Sequence, residues 1–110
     1  MKLPNGDRAF LDPAKLVDYC LSPEHPRGRH KARVFAAALG IRATDADLLG
    51  ATLLSAAADE EATLVSSDAY GDRYVVDFFM TGPAGSGTVR SAWIVRRGED
   101  FPRLTSCYVL

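Results

Sequence analysis

Apolar residues recur at three- and four-residue spacings up to about residue 60 and then alternate with polar ones, which is a change from helical to strand periodicity. Asp12-Pro13 reads as a helix start, with Asp as cap and Pro in the first position. Leu16, Val17 and Cys20 then share one side of a helix from Pro13 to about Cys20. Ser22-Pro23 and His25-Pro26 impose an extended link, because a residue before proline is driven out of the helical region. A second helix is predicted from Gly28 or Arg29 to Leu39, with Gly40 as its left-handed cap. Thr44-Asp45-Ala46-Asp47 opens a third, Asp45 to about Ala58, whose apolar stripe is Leu48, Leu49, Thr52, Leu53 and Ala56. Gly50 weakens its middle slightly.

After the turn signal Asn5-Gly6-Asp7, Arg8-Ala9-Phe10-Leu11 reads as a short edge strand. The main strands follow the helices: a short one at Ala62–Val65, a strong one at Arg73–Met80, then Thr88–Arg96 and Leu104–Val109. Along Arg73–Met80, Tyr74, Val76, Phe78 and Met80 make the apolar face expected to meet the helices, and Arg73, Val75, Asp77 and Phe79 the other. In the last strand alternation puts Arg103, Thr105 and Cys107 together, and Leu104, Ser106 and Tyr108 together. Thr81–Gly87 is a hairpin loop and not a phosphate-binding loop, since no Gly-Lys-Ser/Thr follows and it joins two strands. Helices first and a meander second give an α+β fold, N-terminal helices packed on a C-terminal antiparallel sheet of about four strands. The 110 residues fit a single domain, 1–110, with one core.

Composition is that of an ordinary globular protein, and the net charge of −1 argues against indiscriminate nucleic-acid binding. No apolar run approaches the ~20 residues of a membrane span, and Met1–Asp7 holds no apolar signal core, so a cytoplasmic protein without membrane association is expected. Cys20 and Cys107 form no C-x-x-C pattern and read as small buried hydrophobes. No metal site and no cofactor is expected.

The charge is unevenly distributed. Residues 27 to 42 contain Arg27, Arg29, Lys31, Arg33 and Arg42 with His30 and no acid. Residues 43 to 72 contain seven acids and no Lys or Arg. Basic residues at a helix start oppose the helix dipole, an arrangement that makes sense if an anion such as a phosphate shares the site. On a wheel of 100° per residue, Lys31 shares an arc with Val34, Phe35 and Ala38, with Arg29 and Arg33 opposite and His30 at the border. Lys31 is therefore expected to face the sheet and to find an anion, lose its proton, or snorkel, in the plainest case paired with an acid such as Asp77. His30 is the first general acid/base candidate, and His25 in the link can also reach the site. Tyr70 and Trp93 are candidate base-stacking aromatics, although core packing also suits Trp93.

His30-Lys31-Ala32-Arg33-Val34-Phe35 with Leu39-Gly40, then Tyr70-Gly71-x-x-Tyr74, Ala92-Trp93-Ile94 and Pro102-Arg103-Leu104-Thr105-x-x-Tyr108 resemble an uncharacterised bacterial family catalogued as a domain of unknown function. That resemblance covers nearly the whole chain. It implies a domain found at the C-termini of polymorphic and phage-associated toxins and in small stand-alone proteins of toxin–antitoxin type. The helices-then-sheet order is also similar to the barnase–EndoU–colicin–RelE toxin ribonucleases, a likeness of fold alone.

The expectation is a toxin that is a metal-independent endoribonuclease, in which the ribose 2′-hydroxyl attacks the adjacent phosphorus. His30, Lys31, Arg73 and Thr105 are the expected catalytic residues: His30 moves a proton, Lys31 and Arg73 stabilise phosphoryl charge, and Thr105 holds a phosphate oxygen. Arg27, Arg29, Arg33, Tyr70, Trp93 and Arg103 are expected to bind the RNA, and a cognate antitoxin or immunity protein is the expected partner. The alternative is a non-enzymatic antitoxin or adaptor that docks a protein through its sheet edge, with Ser106–Leu110 as the candidate open edge.

Overall fold

The alternating half of the chain forms a single antiparallel meander in strand order β1-β2-β3-β4 in the computed structural model, which describes all 110 residues. The strands are β1 (Ala62–Ser67), β2 (Gly71–Gly82), β3 (Gly85–Arg96) and β4 (Arg103–Val109). The helical half supplies a π-helical turn, Leu16–Cys20, then α1 (Arg29–Val34), which runs on as a second π turn, Phe35–Leu39, and α2 (Ala46–Asp59). The expected α+β fold with a four-stranded sheet is what the chain adopts. No helix is long and apolar enough to cross a membrane.

One face of the sheet carries the helices. Tyr74, Val76, Phe78 and Met80 on β2 and Val89 and Trp93 on β3 are buried there with Phe35, Leu39, Ile41, Leu49 and Leu53. Burying a side chain such as Phe35 contributes about 1.5–3 kcal/mol. Gly40 ends the second helix in the left-handed conformation at φ 70°, as expected of a C-terminal glycine cap. Trp93 lies inside this core, 1% exposed, and its indole N–H donates to Ser91 Oγ at 2.9 Å. The Ser91 hydroxyl in turn donates to the Val76 carbonyl at 2.8 Å. Trp93 is therefore not available to stack a base, and the expectation that it binds RNA is corrected.

Four local expectations also change. Arg8–Leu11 is not a strand: Gly6–Arg8 is a 3-10 turn, and Phe10 makes one parallel bridge to Arg103. The Gly-rich stretch is not a seven-residue loop, because Gly82 pairs with Gly85 and only Pro83-Ala84 turns the chain. The alternation of β4 is broken between Leu104 and Ser106, where Trp93 pairs with Leu104 but Ala92 with Ser106. Thr105 is the extra residue of a β-bulge, so Leu104 and Cys107 both reach the core. Finally, the second helix buries Ala32, Phe35 and Leu39, which share one side of an α-helical wheel, and leaves Val34, at the edge of the expected arc, 43% exposed.

The outer edge of β4 is covered along its middle. The Leu104 N–H donates to the Phe10 carbonyl at 3.0 Å, and the Cys107 N–H donates to Cys20 Sγ at 3.4 Å. Within Ser106–Leu110, the open edge that the binding-protein alternative named, Cys107 is thus covered. At the opposite edge, β1, only Ala62 is paired outward, to the Met1 carbonyl, and Thr63–Ser67 are exposed.

Candidate functional site

The π turn Leu16–Cys20 sits beside α1 because Gly28 allows it. A Cβ at Gly28 would collide with the carbonyl oxygen of Tyr19. The link between them is fixed by short polar side chains. Ser22 Oγ accepts the N–H groups of Glu24 and His25 at 3.3 and 3.2 Å. His25 Nδ1 accepts those of Arg27 and Gly28, each at 3.0 Å. An Nδ1 that accepts two bonds assigns the ring proton to Nε2, so His25 is left with an outward-facing donor.

This arrangement delivers Tyr19 to Lys31. Lys31 Nζ donates to Tyr19 Oη at 2.6 Å, lies 4.7 Å from the centre of the same ring and 6.0 Å from that of Tyr108. The His25 ring packs edge-on against Tyr19 at 4.8 Å. Lys31 is half-buried and faces the sheet as expected, but it has no carboxylate. The acid suggested for it, Asp77, is held by Arg90 through two bonds of 2.8 Å. That guanidinium keeps Asp77 below the usual carboxylate range. Tyr19 and His25, but not Lys31, also line a hollow of about 460 Å³ with Asp12, Lys15, Asp18 and Arg27.

Behind Lys31 the two thiols meet. Cys20 Sγ lies 3.9 Å from Ser106 Oγ and accepts the Cys107 N–H. Hydrogen bonding from the Cys107 thiol and backbone, with Lys31 nearby, holds Cys20 below the ordinary thiol range. The same contact and burial push Cys107 up. Both side chains are fully buried, as the sequence suggested, which makes them structural.

The expected site residues do not all converge. His30 is exposed on α1 next to Lys31 and has no hydrogen-bond partner. Arg27, Arg29 and Arg33 are exposed and free of carboxylates. Arg73 is drawn to Asp68 at 3.3 Å. Its position on β2 is four residues, roughly 13 Å at ~3.3 Å per residue, from Asp77. Asp77 lies opposite Arg90, and Arg90 opposite Tyr108, at the Lys31 end of the sheet. Arg73 therefore does not join Lys31. Thr105, at the bulge, donates to the Ala92 carbonyl at 3.1 Å and lines, with Arg96 and Arg103, a hollow of about 140 Å³ that shares Asp12 and Lys15 with the first. Arg103 is committed: it forks onto Glu99 at 2.9 and 2.8 Å, with its guanidinium 5.0 and 4.9 Å from the Phe10 and Phe101 rings. Tyr70 is 74% exposed in the β1–β2 turn, at the far edge of the sheet from Lys31. Sequence reasoning missed Tyr19 and Tyr108. Tyr19 and Lys31 stand on different elements, and a helical wheel of either one carries no sign of their contact.

Charge segregation follows from these pairings. Of the thirteen Lys and Arg residues, Arg8, Arg73, Arg90, Arg97 and Arg103 pair with carboxylates. Every cation of residues 27–42 is unpaired. The fold and site thus define an α+β domain in which α1 and its flanks present unpaired positive charge around a Lys–Tyr–His cluster. The chain belongs to a family described as a domain of unknown function, DUF6883, whose model matches residues 2–110. No curated protein matches the chain.

Proposed function

We propose that this domain is a toxin-like endoribonuclease that cleaves RNA without a metal ion, its site centred on Lys31. The observation that carries the reading is a half-buried ammonium with no carboxylate partner, hydrogen-bonded to Tyr19, with the His25 imidazole packed on that ring. Lys31 has N–H groups left to donate, Tyr19 a phenolic proton and His25 an Nε2–H. Tyr19 and His25 line the hollow and Lys31 abuts Tyr19, and donors so gathered suit the non-bridging oxygens of a phosphodiester, on which negative charge builds in the transition state. Arg27, in the same hollow, adds a guanidinium that matches phosphate geometry.

In this mechanism the ribose O2′ forms a bond to phosphorus as the bond from phosphorus to O5′ breaks. His30, whose ring nitrogens are both free, takes the O2′ proton. Tyr19 gives its phenolic proton to O5′, and the Lys31 ammonium stabilises the phenolate until solvent exchanges the proton back from His30. The products are a 2′,3′-cyclic phosphate and a 5′-hydroxyl. A cognate antitoxin or immunity protein would block such a site. Lys31→Ala tests the assignment: cleavage of RNA in the presence of a chelator should fall by about 10²–10³, and an unchanged rate would refute it.

The second reading is a non-enzymatic binding protein, and β1 is the observation in its favour. Thr63–Ser67 form an exposed edge with no charge or proline to discourage pairing. On that reading β1 pairs with a strand of a protein partner, and a proline at Leu64 abolishes the complex while Lys31→Ala leaves it intact.

A further inference from the structure

Arg29 and Arg33 do not line the hollow of Tyr19 and His25. They open on the other side of α1, into a groove of about 580 Å³ that also holds Arg42. Its floor is small, with Ala36 and Ala37, and Leu21 forms part of a wall. No acidic residue lines it, and none of the three guanidinium groups meets a carboxylate. The nearest acid in sequence, Asp45, is occupied by the backbone N–H of Arg42 at 2.9 Å. Three like charges lining one groove gain nothing from folding. Their arrangement is stable at low cost only because all three are exposed to water.

We propose that this groove holds the phosphate backbone of a single RNA strand beyond the phosphodiester that Lys31 addresses. The proposal rests on the ribonuclease reading for the identity of its ligand. Arg29 and Arg33 stand one helical turn apart on one face of α1, and Arg42 follows the Gly40 turn, so the groove gathers three cations from two segments. A polyanion with a repeating charge can offer an anion to each of them. The alanine floor lets a sugar–phosphate chain approach the helix, and Leu21 offers an apolar contact to a base or sugar. Arg27 in the first hollow and Arg29 in the groove are neighbours across Gly28, which gives a strand a continuous cationic path over the start of α1.

The test is binding of a fluorescein-labelled 2′-O-methyl oligoribonucleotide of mixed sequence, which cannot be cleaved because the attacking hydroxyl is blocked. Affinity is measured by anisotropy over a range of salt. The parent protein should bind, with log K falling linearly in log salt. The Arg29→Ala/Arg33→Ala/Arg42→Ala variant should bind more than about tenfold more weakly at 0.1 M salt, its slope shallower by about 0.7 for each arginine removed. Arg96→Ala removes an exposed, unpaired arginine from the sheet and should keep the parent slope. All three groove arginines are exposed, so the variant folds, and its melting curve verifies that. An unchanged slope in the triple variant, or no binding by the parent at low salt, would overturn the groove. So would polyglutamate displacing the oligonucleotide at equal charge concentration, which would make the groove a site for an acidic protein. If binding depends on the three arginines while unmodified RNA stays intact, the groove stands and the ribonuclease reading fails.

Discussion

Lys31 and Ser91 are both polar groups withdrawn from water, and they are resolved in opposite ways. Ser91 is fully buried and fully satisfied: it donates to Val76 and accepts from Trp93. Ser91→Ala leaves the indole N–H of Trp93 and the Val76 carbonyl without that partner and should cost about 1–3 kcal/mol. For a domain of this size that is a melting temperature lower by roughly 4–8 °C per kcal/mol, and an unchanged melting point would show that the core relaxes around the loss. Lys31 keeps one neutral partner and a charge that nothing neutralises. Tyr19→Phe removes that partner and the proposed proton donor while preserving the ring against which His25 packs. It should lower RNA cleavage by about 10²–10⁴ with little change in melting. A variant of full activity would take Tyr19 out of the mechanism.

At the level of elements, the site depends on how closely the π turn approaches α1. Gly28→Ala forces a methyl group onto the Tyr19 carbonyl. Overpacking of this kind costs about 1–3 kcal/mol, and by moving the π turn it should also separate Tyr19 from Lys31. Loss of stability together with loss of activity is the expected outcome, read by melting and by cleavage, and a variant with parental stability would mean the two segments can slide apart freely. The same elements explain what was legible in the sequence. The faces of β2 could be assigned because its alternation is uninterrupted from Arg73 to Met80. Those of β4 could not, because the bulge at Thr105 shifts the register by one and sends Cys107 inward beside Leu104. The hairpin was drawn too long because Gly82, Gly85 and Gly87 look like loop residues, yet they serve where the sheet passes the second helix: a Cβ at Gly82 would strike the Leu39 carbonyl. The orientation of Lys31 was accessible from helical periodicity. The partners of Arg73 and Arg103 were missed although Glu99 stands four residues before Arg103, a spacing at which a carboxylate and a guanidinium meet readily.

Across the whole molecule the ion pairs between side chains fall on Arg8 and on the arginines of the sheet and its loops, Arg96 excepted, and none falls on the cations of residues 27–42. Asp68, Asp77, Glu99 and Asp100 are held below their ordinary range. Bonds from the Tyr70 and Gly71 N–H groups dominate for Asp68, and Arg90, Arg103 and Arg8 do so for the other three in turn. A carboxylate with a lowered folded-state pKa adds stability that is present above its unfolded value and is lost as pH falls through the folded one. Urea stability should therefore be flat through neutral pH and decline below the ordinary carboxylate range. Asp77→Asn should blunt that decline, and a variant with the parental acid profile would contradict the pairing with Arg90. The free cations of residues 27–42 give no such term, since none of them forms an ion pair, and their effect belongs to ligand binding. The central claim is that Lys31 acts on a phosphodiester, and incubating total RNA with the purified protein and with Lys31→Ala, both in chelator, tests it most directly. The account requires discrete fragments ending in a 2′,3′-cyclic phosphate from the parent and intact RNA from the variant. Intact RNA from both, or equal cleavage by both, would contradict it.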